Sequence, residues 1–205
     1  MPDRETRAPA EDHRDPKVPS DDPTGAPGRL GVVEAFVNTV DLESGRDALS
    51  DPTQLGRWLA QHGLLLRGER IHEPADLQRA LRLRESLREL AFANHDGEAP
   101  SPAALEALNA EASRLPLSMR FDDHPAAALR PASRGIDGAL ATLLVIVFEA
   151  MRDGTWSRLK ACRSASCRWV FYDTSRNRSG RWCSMAVCGN RQKVRAFRAR
   201  RADGA

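Results

Sequence analysis

The residues of this chain best spaced for chemistry are its four cysteines. Cys162 and Cys167 have four residues between them, fifteen follow, and Cys183 and Cys188 again have four between them. Two close pairs across a hairpin-sized gap suit a tetrahedral metal. Each pair offers two thiolates from one turn, and the gap lets the chain double back. Zn²⁺ accepts four soft sulfur ligands and leaves no open position for water, so the expected site is structural, with one ion per chain. A disulfide framework is the rival reading. It is disfavoured because nothing else in the chain has a secreted character.

The charge around these cysteines is lopsided. Residues 158–205 carry thirteen Lys or Arg against Asp173 and Asp203, whereas residues 1–157 carry a net −8. The overall +3 conceals this polarity. Four thiolates and one divalent ion reduce the tail's +11 only to about +9 by formal counting. Such a module attracts polyanions, nucleic acid above all.

The elements that must hold the module read as mainly α. Residues 1–27 are acidic and proline-rich with few large apolar side chains, a disordered leader by composition. Residues 28–155 form a helical domain. Leu30, Val33, Phe36, Val37 and Val40 recur at helical spacing, with Asn38, Thr39 and Asp41 closing the helix end or lining a small pocket. Asp51-Pro52, Glu73-Pro74 and Ser101-Pro102 are three helix starts. Leu55, Trp58 and Leu59 face inward on the first of these helices. The second carries Leu77, Leu81, Leu87, Leu90 and Phe92, with Arg82, Arg84 and Arg88 among glutamates as a solvated face. On the third, Leu105, Leu108 and Ala112 form the apolar stripe. Leu117–Phe121 and Ala127–Leu129 flank a turn at Asp122-Asp123-His124-Pro125 as a hairpin. Gly138–Met151 is apolar on nearly every side, the central helix of a bundle.

Residues 156–205 are the zinc module. The order is a knuckle, a β-hairpin from Arg168–Asp173 returning through Arg181-Trp182, and a helix starting at the last ligand, a treble-clef-like arrangement. On that helix Val194 and Phe197 form a stripe to pack on the hairpin. Candidate phosphate contacts are Arg176 and Arg178 in the turn, and Arg191, Lys193, Arg195 and Arg198 on the helix. Arg168 and Arg181, beside the ligands, are expected to neutralise the metal centre or contact the acidic domain.

Asp173-Thr174-Ser175-Arg176-Asn177-Arg178-Ser179, Arg181-Trp182-Cys183-Ser184-Met185 and Cys188-Gly189-Asn190-Arg191 together resemble the signature of the CGNR zinc finger proteins. Upstream, Phe36-Val37-Asn38-Thr39-Val40-Asp41 and Trp58-Leu59 through Gly63-Leu64 resemble the start of the ABATE-type domain that precedes this finger. The resemblance implies a bacterial, stress-linked transcription regulator with a DNA-binding finger. Gly180 and Phe197 depart from it, standing where the family has a basic residue and a tyrosine.

The leading expectation is therefore a cytoplasmic DNA-binding regulator, its helical domain sensing a small-molecule effector or forming a homodimer. RNA or ribosome binding is one alternative, with Trp169, Phe171, Tyr172 and Trp182 stacking on bases. A redox- or zinc-responsive thiolate switch is another. No Ser-His-Asp grouping, phosphate loop or His-Glu-His spacing appears, so no enzyme activity is expected. No run is long and apolar enough to span a bilayer.

Overall fold

The computed structural model describes residues 25–95, 97, 99–121 and 127–202. Most of the leader expected at 1–27, and the turn expected at Asp122-Asp123-His124-Pro125, lie outside them. Six helices occur among the described residues: α1 (Leu30–Val37), α2 (Pro52–Gln61), α3 (Pro74–Ala93), α4 (Pro102–Arg114), α5 (Gly135–Asp153) and α6 (Asn190–Ala202). Three antiparallel ribbons accompany them: β1 (Val40–Asp41) with β2 (Arg46–Asp47), β3 (Leu117–Phe121) with β4 (Ala127–Pro131), and β5 (Leu159–Ala161) with β6 (Val170–Tyr172). No helix among the described residues is long and apolar enough to cross a membrane.

The helix starts follow local chemistry. Asp51 accepts the Gln54 N–H at 2.9 Å and Ser101 accepts that of Ala104 at 3.1 Å, each followed by a proline whose missing donor costs nothing in the first turn. Helix α5 is the central one, buried at intervals from Gly138 to Ala150 and packed on α1. It stops at Gly154, whose φ of +81° suits a residue without a side chain. One apolar core gathers α1, α2, α3 and α5, and it also takes in Leu159, Ala161 and Val170 of β5 and β6. The inner ribbon of the zinc module is thus part of the main core.

Three expectations are corrected. The arginine face of α3 is solvated only at Arg82. Arg84 and Arg88 are buried, as is Arg79, because each finds anionic or carbonyl partners contributed by distant elements. Arg79 bonds Glu111 at 2.6 Å and Asp137 at 2.7 Å, tying α3 to α4 and α5. Arg84 grips Asp47 with two bonds of 2.8 Å. A bidentate pair of this kind satisfies a buried guanidinium that would otherwise be costly.

The same Arg79 contact sets the face of α4. Glu111 is drawn inside with Ala104, which turns Leu105 outward to 40 % exposure and leaves Ala112 exposed too. The expected stripe is displaced by a fraction of a turn.

The third correction concerns the module's hairpin. β6 pairs not with a strand at 181–182 but with β5, which precedes the first cysteine pair. Leu159, Ala161 and Val170 are fully buried in the main core, so burial selects that partner.

The β3–β4 ribbon, found where expected, has an unusual surface. Leu117, Met119 and Phe121 share one face and are 44 %, 61 % and 79 % exposed. Among the described residues β3 pairs with β4 alone.

Candidate metal centre

β5 and β6 deliver the first cysteine pair at the tip of their hairpin. The Cys162 N–H donates to Trp169 O at 2.8 Å, and the N–H groups of Cys167 and Arg168 both reach back to Ser164 O. This tight knuckle leaves Arg168 at φ +50°, a left-handed conformation. Of the second pair, Cys188 sits in a wide helical turn, Met185–Gly189, that leads directly into α6, and Cys183 lies two residues before that turn. Ser184 caps that turn by accepting the Val187 N–H, and the Arg163 N–H bridges the halves at Arg181 O.

The four sulfurs meet. All lie within 4.8 Å of one another, with Cys167 and Cys183 at 3.6 Å and Cys183 and Cys188 at 3.8 Å. Tetrahedral Zn–S bonds of about 2.3 Å place sulfurs about 3.8 Å apart, so the spacing fits one zinc ion. Four sulfurs this close cannot all ionise alone. Hydrogen bonds from Cys167 and Cys183 lower the Cys162 thiol; the same contacts push Cys167 and Cys183 up, and burial pushes Cys188 up. A divalent cation takes all four as thiolates and releases their protons, so metal affinity weakens as pH falls.

Beside the sulfurs lies a buried ion pair that composition did not flag. Lys160 and Asp173 are 4 % and 3 % exposed and 2.9 Å apart. Asp173 also accepts the N–H groups of Ser175 at 3.0 Å and Gly180 at 2.8 Å, while Lys160 donates to Arg178 O. Burial opposes ionisation here, but the hydrogen bonds from Ser175 and Gly180 and the Lys160 ammonium prevail, holding the Asp173 carboxyl at about 2. Arg158 adds bonds to Asp173 O and Ser175 O. The turn 173–180 is folded around this carboxylate. A Cβ on Gly180 would sit 2.8 Å from it, so a side chain there would require the carboxylate to shift.

The basic residues divide into two sets. Lys160 is buried in its pair, Arg158 holds carbonyls, and Arg168 lies 3.8 Å over the Phe92 ring rather than over the sulfurs. Arg191, a candidate phosphate contact, pairs with Glu43. Arg181 is exposed. Of the other candidates, Arg176 and Arg178 are exposed in the turn, Arg178 also donating to Ser157 Oγ. Lys193, Arg195 and Arg198 are exposed on α6, with Arg200 and Arg201 beyond them. Val194 and Phe197 do not pack on the hairpin. They are 48 % and 53 % exposed, because α6 leaves the module at its first turn and runs outward. Trp169, Phe171, Tyr172 and Trp182 are all half-buried.

Asn38 is a link that only its family motif hinted at. Its side chain donates to Val170 O at 2.7 Å and accepts the Val170 N–H at 2.8 Å, joining the end of α1 to β6.

Two family models match the chain. Residues 31–154 match ABATE, described as "Putative stress-induced transcription regulator", and residues 158–201 match the CGNR zinc finger. A comparison with curated proteins found no match. The family and the sulfur geometry together give one zinc site held by Cys162, Cys167, Cys183 and Cys188.

Proposed function

Because this chain belongs to the ABATE family and carries its CGNR zinc finger at the C-terminal side, we propose that it is a transcription regulator whose zinc-anchored helix α6 binds double-stranded DNA. The observation that carries this reading is the state of α6. It holds six cations and no acidic residue, and from Lys193 to Arg201 every side chain is exposed. A helix of this length and like-charge crowding is marginal alone in water. A polyanion neutralises the repulsion and stabilises the helix it contacts. At about 100° per residue Arg191, Arg195 and Arg198 share one narrow face, and Val194 and Phe197 lie beside it. Arg176 and Arg178 supply a second, loop-borne cluster held by the Asp173 turn.

The test is the salt dependence of binding to duplex DNA. Five phosphate contacts give a log–log slope of about −4.5, and Arg195→Ala reduces its size by about 0.9. A flat response rejects the proposal. Arg178→Ala weakens all duplex sequences alike, as a backbone contact does. Single-stranded RNA serves as competitor. The half-burial of the four aromatic residues argues against base stacking, so duplex DNA should win at equal salt.

A further inference from the structure

We propose that the helical domain supplies part of the zinc site: Asn38, Arg88 and His95 are positioning residues that hold the knuckle in the pose presenting Cys162 and Cys167. Their bonds fall on the main chain next to the ligands. His95 Nε2 donates to the carbonyl of Ala161, immediately before Cys162, at 2.7 Å. Arg88 donates to the carbonyl of Arg168, immediately after Cys167, at 3.0 Å. Asn38 clasps both polar groups of Val170, next to Trp169, whose carbonyl accepts the Cys162 N–H.

Asn38 is partly buried and the other two side chains are buried. Arg88 and His95 are 5 % and 2 % exposed. Arg88 also donates to Val37 O at 2.5 Å and to Glu85 at 3.0 Å, so it is fixed by α1 and α3 at once. Arg168 needs such support. A non-glycine residue in the left-handed region persists only where its surroundings dictate it. Here the Arg88 bond grips its carbonyl and the Phe92 ring receives its guanidinium. Groups that orient metal ligands without touching the metal commonly change affinity by roughly 10–100-fold when removed. The finger is therefore not free-standing. Whatever shifts the α1–α3 junction shifts the grip on the metal.

The proposal rests on the zinc site and not on DNA binding, and its test measures metal retention in the full chain. Zinc-loaded protein is mixed with excess chelator and the rate of zinc transfer followed. Arg88→Met and Asn38→Ala should lose zinc at least about tenfold faster than the parent. Arg84→Met is the control. It breaks an equally buried ion pair on α3 but touches no carbonyl of the knuckle, and it should stay within about twofold of the parent. In Co²⁺-loaded protein the ligand-field bands should move for Arg88→Met and stay in place for Arg84→Met. Parent-like rates in both Asn38→Ala and Arg88→Met overturn the proposal. So does equal acceleration by Arg84→Met, which reduces the effect to general stability. Asn38→Ala buries no unpaired charge, so it decides the matter if Arg88→Met does not fold.

Discussion

Withdrawing the zinc is expected to dissolve residues 183–202 while the β5–β6 ribbon keeps its structure. The two halves of the module are held by different forces. Leu159, Ala161 and Val170 are fully buried in the main core and remain there without a metal. Among the described residues from Thr174 onward only Cys188 and Gly189 are buried, so almost no apolar burial supports the second cysteine pair or α6. Structural zinc supplies about 10–16 kcal/mol in comparable small modules, far more than this segment can recover from burial. Hydrogen exchange with and without chelator reads the outcome directly. Amides of the 184–190 turn should lose protection by orders of magnitude and those of 159–161 and 170–172 should change little. Unaltered protection at Gly189 would remove the zinc from its central place. Duplex binding should vanish with the same chelator dependence, since α6 loses its anchor.

Asp173→Ala should be the most damaging single substitution outside the metal ligands. It strands the Lys160 ammonium at 4 % exposure and unties Ser175 and Gly180 together. Breaking one side of a buried pair costs about 3–5 kcal/mol. In a chain of this length that lowers the Tm by on the order of 10 °C. Asp173→Asn keeps some acceptors and should fall between the two. The pH profile offers a second readout. The folded carboxyl titrates at about 2, below its unfolded value, so its contribution is complete above about pH 4 and is lost as pH falls from about 4 to 2. Asp173→Ala should flatten that part of the acid-unfolding curve. A Tm within about 2 °C of the parent would show that the turn holds itself by other means.

What could be read from the sequence was what depends on neighbours in the chain. Asp51-Pro52 and Ser101-Pro102 start helices through bonds that span three residues. The all-round apolar run of α5 marks its central place without reference to any partner. The cysteine spacing announced the metal for the same reason. The structure departs from local pattern where a partner lies far along the chain. Arg84 looks solvated beside Glu85 until Asp47, 37 residues away, is brought against it. Glu111 looks like surface until Arg79 reaches it, and that contact rotates α4. Asn38 finds Val170 across 132 residues, a bond no local pattern encodes. For β6, Arg181-Trp182 and Leu159–Ala161 both offer extended segments, and only the main core chooses between them.

The outward row of Leu117, Met119 and Phe121 has a practical corollary for anyone concentrating the protein. A short ribbon with an oily side and an open margin is a place where molecules cling to one another. Raising ionic strength, which screens charges, leaves that cohesion untouched, and sulfate salts strengthen it. Solubility is better sought by placing a lysine at Met119 than by adjusting the buffer.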